Sequence, residues 1–347
     1  MNIKKILLLF FFGMISLNVF AEIDPPVAEI YLHKQEFITQ GKLKQKIEVM
    51  SSQLGVESNP ESRKEVLNLL IDELLIDQAA EKEGVNVSDS ELQQRIEATK
   101  SSLGVQVTDE QFKNVIQQQM GIDYQQFVNL MERRIREEKY VMQQKQSAFD
   151  KMREPNPEEV ESFYNQNYQQ FTNPAMVRFK HIYADIRKVE SQSKMNELKT
   201  KAQEIRNTII SGNKSFEDLL LRYSQDSASE FNGGDFGYLP KNNTQMIRAL
   251  GEDFCNTVFK MDEGQVSDVL ESSIGIHIVK ITDQRKNRIL DLNDPITPGS
   301  NTTVRSQVRA YLIANQRQQI FKKAVDDVAK ELREKADIQI YEERLNW

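Results

Sequence analysis

The feature that most constrains this chain is a change of period. From Ile38 to Met142 apolar residues recur at spacings of three and four, whereas beyond Asn173-Pro174 they alternate, with Val177, Phe179, His181 and Tyr183 on one face of a strand. A helix presents a stripe every ~3.6 residues and a strand every second residue, so neither an all-helical nor an all-β fold suits both halves. The chain therefore reads as α+β, a helical module followed by a small mixed unit.

Local chemistry marks where the helices start. Thr39 caps a helix carrying Leu43, Ile47, Met50 and Leu54, and Asn59 with Pro60 opens one carrying Leu67, Leu70, Ile71, Leu74 and Leu75. Ser88 with Glu91 and Thr108 with Gln111 are capping boxes, and Asp123 opens a longer helix through Phe127, Leu130, Met131 and Ile135. Asn156-Pro157 starts a helix striped with Val160, Phe163, Tyr164 and Phe171, after which a domain boundary is placed near residue 173.

Past the first strand, Met195, Leu198, Ala202, Ile205 and Ile209 define a helix, and Ser215 caps a short one. A polar loop from Ser224 to Gly237, a helix over 246–260 and a closing strand from Gly275 to Ile281 follow. The expected domains are 22–172, 173–285, a linker at 286–302, and a C-terminal helix and tail over 303–347 that pack on the N-terminal module. Ile338, Ile340 and Tyr341 alternate, and this tail is expected to pair as a strand with residues 27–32.

Composition narrows the function classes. The 347 residues carry 45 Lys and Arg against 52 Asp and Glu, a formal charge of -7, which lacks the basic footprint that nucleic acid requires. A hydrophobic share of 39% beside 28% charged residues fits neither a multi-span membrane protein nor a disordered chain. Lys4 and Lys5, an apolar run from Ile6 to Leu17, and Val19-Phe20-Ala21 form the three parts of a secretory signal, so the mature chain is expected to begin at Glu22 and lie in the periplasm without a stable membrane span. Losing two lysines takes the charge from -7 to -9. A form anchored by an uncleaved signal differs only in the fate of residues 1–21. Cys255 is the single cysteine, which excludes an intramolecular disulfide, and it reads as a small core residue rather than a reactive thiol.

Of three histidines, His33 lies in a polar stretch and reads as solvated, while His181 and His277 fall on the first and last strands of the mixed unit. Around them stand Val177-Arg178-Phe179-Lys180-His181-Ile182, Phe216-Glu217-Asp218-Leu219 through Tyr223-Ser224-Gln225-Asp226, Gly233-Gly234-Asp235-Phe236-Gly237-Tyr238, Gly264-Gln265-Val266-Ser267 and Gly275-Ile276-His277-Ile278. In this order the blocks resemble the signature of parvulin-type peptidyl-prolyl isomerases over roughly residues 174–285. The helical segment before them and the long helix after them are similar to the SurA-type periplasmic chaperones. The resemblance implies a helical chaperone module with an inserted parvulin-like α/β domain built on a four-stranded sheet. It also implies His181 and His277 as paired site histidines, Asp226 in the acidic or Cys position beside them, and Ser272 in the family's hydroxyl position. Phe236, Met246 and Phe254 match the residues that hold the proline ring, with a longer spacing between Met246 and Phe254 than in shorter members.

Such a site rotates an X-Pro bond without breaking one, and needs no cofactor. No helix carries paired ligands at a metal-site spacing, and no metal is expected. Two function classes follow. One is an isomerase and folding chaperone for exported proteins, with unfolded or proline-containing chains, outer-membrane proteins among them, as partners. The other is an ATP-independent holdase in which the parvulin unit is a silent scaffold. Only Arg187 and Lys188 follow the first strand before the helix, so no phosphate is required in the substrate.

Overall fold

A computed structural model describes residues 24–55, 57–103, 107–226 and 232–347. The expected signal segment, residues 1–21, lies outside them. The chain divides into two compact units, one formed by residues up to Glu154 and from Ile313 onward, the other by Pro155–Leu312.

Strands β1 (Pro26–Tyr31) and β2 (Gln35–Thr39) are followed by α1 (Gln40–Leu54), α2 (Pro60–Lys82), α3 (Asp89–Ser101), α4 (Asp109–Met120), α5 (Tyr124–Gln144) and the single turn α6 (Gln146–Phe149). The second unit runs through α7 (Pro157–Asn167), β3 (Thr172–Asn173), β4 (Met176–Asp185), α8 (Gln192–Ile210), α9 (Phe216–Tyr223), β5 (Asp235–Pro240), α10 (Thr244–Leu250), α11 (Glu252–Val258), β6 (Leu270–Glu271), β7 (Gly275–Arg285) and β8 (Arg288–Ile289). Helix α12 (Val304–Arg333) and strand β9 (Asp337–Ile340) close the chain.

In the first unit the caps act as their chemistry requires. Capping boxes form at Ser88 with Glu91 and at Thr108 with Gln111, and also at Asn59 with Ser62 and Asp123 with Gln126, each satisfying backbone N–H groups that a helix start leaves open. Two apolar clusters result. One joins Val27, Ile30 and Ile38 to Leu67, Ile71 and Leu75 of α2 and to Ala324, Val328 and Leu332 of α12; the other joins Ile96, Phe112, Ile116, Phe127 and Met131. Strand β9 pairs antiparallel with β1, setting Ile340 opposite Ala28 and Ile338 opposite Ile30, as the alternation at the tail implies.

The second unit is built on an antiparallel sheet of order β5-β4-β7-β6. Period-two alternation sends Val177 and Phe179 of β4 and Val279 and Ile281 of β7 to one face, against Leu250, Phe254 and Val258. Ile182, Ile276 and Ile278 go to the other, against Ala202, Ile205, Phe216, Leu219 and Leu220. With both faces covered, each large side chain buried here contributes about 1.5–3 kcal/mol. The close approach at the start of β7 needs glycine, because a Cβ on Gly275 would lie 2.1 Å from Tyr183 Cε2 and 2.6 Å from the Ala184 carbonyl oxygen.

Four features differ from the sequence reading. The helix expected over 246–260 is two short helices, broken at Gly251, whose φ of 92° and ψ of 148° no helix contains. Helix α7 groups with the second unit rather than the helical segment before it, because Val160 is buried with Leu290, Val304 and Val308. The same cluster takes in Leu292 and Ile296, so residues 286–302 are a packed segment and not a free linker. Helix α12 is correspondingly divided, its first turns belonging to the second unit and the rest to the first.

Candidate active site

His181 lies opposite Val279, and His277 opposite Tyr183, in the β4–β7 register. The two histidines are thus diagonal neighbours on one face, close enough for their side chains to meet. His181 Nδ1 is 3.2 Å from His277 Nδ1, His181 Nε2 is 2.8 Å from Asp226 Oδ2, and Ser272 Oγ is 2.7 Å from His277 Nε2. The four polar residues expected from the sequence form one chain.

Its polarity follows from the chemistry of each group. The Asp226 carboxylate accepts from Nε2–H of His181, which leaves His181 Nδ1 as an acceptor. His277 then donates through Nδ1–H, and its Nε2 accepts from the Ser272 hydroxyl. The backbone N–H groups of Ile274 and Gly275 donate to Ser272 Oγ at 3.2 and 3.0 Å, so the hydroxyl is held from both sides.

Both imidazoles are buried, with exposures of 3% for His181 and 0% for His277. Burial, and then the neighbouring His181, push His277 down to about 3. Burial also lowers His181, against the opposing pull of Asp226. Around neutral pH both rings are therefore neutral, which the one-way hydrogen-bond chain requires. Their ring nitrogens contact each other directly, His277 donating and His181 accepting.

Backbone contacts carry Asp226 into place. Ser224 Oγ accepts from Tyr183 N–H at 3.2 Å, Gln225 N–H donates to the Tyr183 carbonyl at 2.7 Å, and the Gln225 side chain accepts from Asp185 N–H at 2.9 Å. Along the same edge of β4, His181 N–H donates to the Gly234 carbonyl at 3.0 Å, which brings Phe236 alongside.

Apolar rings surround the chain. Phe236 stacks on Phe179 with centroids 4.6 Å apart and stands edge-on to His181 at 5.5 Å. Phe254, 2% exposed, packs 4.8 Å from His277. Met246 is partly buried against the same core. All seven expected site residues thus lie in or against one side of the sheet. Cys255, beside Phe254, is buried, and burial pushes its thiol up, away from the reactive thiolate.

Two neighbours were not singled out as site residues. Phe179 supplies the surface on which Phe236 stacks, and Tyr183 stacks on His181 at 5.6 Å while its hydroxyl donates to the Ile274 carbonyl at 3.0 Å. The signal was present, since both sit two positions from His181 on the alternating strand.

Residues 165–285 match the family model of the PPIC-type peptidyl-prolyl isomerase domain, and residues 4–141 match that of the SurA-like N-terminal domain. The chain is thus similar to SurA-like chaperones over its first part and to parvulin-type domains over residues 165–285. It is 28% identical to the chaperone SurA of Alkalilimnicola ehrlichii over 181 residues, 50% of this chain and 37% of that protein. It is 37% identical to the foldase protein PrsA of Bacillus subtilis over 87 residues, 25% of this chain and 27% of that one. These matches span well under two thirds of the relatives' length. A solved structure described as a SurA-like chaperone of Campylobacter jejuni aligns with 88% of this chain and 96% of its own, at 16% identity and a TM-score of 0.34.

Proposed function

We propose that this protein is a periplasmic peptidyl-prolyl cis-trans isomerase whose helical unit also holds unfolded exported chains, outer-membrane proteins among them. The observation that carries this reading is the neutral Asp226–His181–His277–Ser272 chain lying against aromatic rings. Among the described residues no helix is long and apolar enough to cross a membrane, which suits a carrier released into the periplasm. The names of the matched relatives, a chaperone and a foldase, point the same way.

The reaction needs rotation about one amide. The barrier is about 18–20 kcal/mol, and X-Pro bonds cross it in tens to hundreds of seconds. Twisting destroys the resonance that makes a planar amide polar, so a surface that withdraws the amide from water destabilises the planar forms relative to the twisted one. Phe236 and Met246 hold the proline ring, over a floor to which Phe254 belongs. The polar chain fixes both imidazoles in one orientation and keeps formal charge away from the rotating bond. No covalent intermediate forms.

The substrate carries no phosphate. Of the two basic residues after β4, Arg187 is engaged by the Asp185 carboxylate at 2.5 Å. The test is cis/trans exchange measured by NMR on a short X-Pro peptide and its phosphorylated counterpart. The plain peptide is turned over faster, and an Asp226→Ala, His277→Ala double variant loses at least about tenfold in rate, the scale set by losing a positioned polar group. Undiminished activity in that variant contradicts the assignment of the site, and leaves the helical unit as the functional part.

A further inference from the structure

Phe236 points to the site against the pattern of its own strand. In the β4–β5 register Arg178 lies opposite Tyr238, Phe179 opposite Gly237 and Lys180 opposite Asp235, so one step along β4 spans two along β5 and Phe236 is the extra residue of a β-bulge. Arg178 stands between Val177 and Phe179 and so faces away from the aromatic core, and the Tyr238 ring lies with it, 5.4 Å from its guanidinium. Counted back from Tyr238, strict alternation sends residue 236 to that same outer face. The bulge returns it to the site face, where its ring stacks on Phe179 at 4.6 Å and meets His181 at 5.5 Å.

Three residues hold the bulge. Gly237 has a φ of 85°, in the left-handed region that strains any side chain, while a Cβ there meets nothing within 4 Å, so backbone conformation rather than space calls for glycine. The Asp235 carboxylate accepts the Gly237 N–H at 3.0 Å through Oδ1, which ties together the residues on either side of Phe236. Arg178 donates to both oxygens of that carboxylate, its Nε lying 3.1 Å from Oδ1 and 3.0 Å from Oδ2 and a terminal nitrogen closing on Oδ2. The Arg178 side chain is 44% exposed, and an ion pair this open to water adds little to folding. Its two-pronged geometry instead fixes direction, anchoring the bulge to β4.

We infer that Arg178 and Asp235 are positioning residues of the isomerase site: from the opposite face of the sheet, their ion pair sets the bulge that turns Phe236 onto the proline ring, and so sets the selectivity of the site for a closed ring over an open N-alkyl residue. The inference rests on the reading of Phe236 as a residue that holds proline, and it adds what aims that ring. Neither Arg178 nor Asp235 touches the substrate.

The experiment compares kcat/KM for cis/trans exchange, followed by NMR with residues 22–347, on an unphosphorylated Ala-Pro peptide and on the same peptide with N-methylalanine in place of proline. That residue keeps an amide that isomerises but lacks the methylene that closes the ring. The wild-type protein favours proline by at least about tenfold, the value of one methylene in an apolar pocket. Arg178→Met and Asp235→Ala each lower this ratio by more than about threefold while the NMR signals of β4 and β7 persist. A loss of folded protein lowers both rates alike and leaves the ratio unchanged, so the ratio separates aim from stability. Arg178→Lys keeps the charge but not the fork, lowers the ratio in the same way, and decides the matter if Asp235→Ala does not fold. A smaller change of the ratio in the folded Arg178 variants overturns the inference and leaves the isomerase reading standing. Equal turnover of both peptides by the wild-type protein does the same. Acceleration of neither peptide refutes both.

Discussion

His277 carries the sharpest consequence at the scale of single residues. An unfolded histidine titrates near 6.5, whereas His277 in the folded protein is pushed down to about 3. Between these values the unfolded state binds more protons, so stability is fully present above about pH 6.5 and falls as the solution is acidified. His181, lowered in the same direction, adds to the effect. The urea midpoint of the parvulin unit, followed through the NMR signals of β4 and β7, is expected to drop from pH 7 to pH 4 with a slope of up to about 1.4 kcal/mol per pH unit from His277. A His277→Asn variant has a shallower slope, and an unchanged slope contradicts the buried neutral imidazole. The identities of the site residues were legible because the motif fixes residue types at ordered positions. The direction of the hydrogen-bond chain was not, since it depends on a carboxylate 45 residues away along the chain orienting the first ring.

At the scale of elements, alternation in β4 predicted a strand and its faces, and the capping chemistry predicted helix starts in the first unit. Spacing alone did not find the break in the helix over 246–260, because the apolar residues on either side of Gly251 continue a helical pattern. It also missed that Leu290, Leu292 and Ile296 are anchored, since the Pro and Gly around them read as a linker until Val160 and Val304 arrive from distant sequence. Gly275 illustrates a constraint that only packing reveals. Gly275→Ala is expected to destabilise the parvulin unit by more than about 2 kcal/mol, since the new Cβ meets both a ring and a backbone oxygen. Wild-type denaturation midpoints in that variant contradict the close approach.

For the whole molecule, the chain leaves the first unit, builds the second, and returns, so the stability of the first unit depends on its last residues. The return was legible in the alternation of Ile338, Ile340 and Tyr341, while the division of α12 between two cores was not, because its apolar stripe is continuous. Trp347, the only tryptophan, lies 4.5 Å from the Arg63 guanidinium and reports on the first unit. Replacing both Ile338 and Ile340 with Ala is expected to lower the midpoint read by its fluorescence by about 1–3 kcal/mol, while isomerase activity is retained. Loss of that activity together with the first unit contradicts the division of roles. The central claim is that a neutral, buried histidine pair beside an apolar wall rotates X-Pro bonds. The measurement that tests it most directly is the pH profile of cis/trans exchange on an unphosphorylated X-Pro peptide with residues 22–347. The account predicts acceleration that is level from about pH 7 to about pH 8, where both rings are neutral. No acceleration by the folded protein, or acceleration that titrates with a midpoint near 6.5, contradicts it.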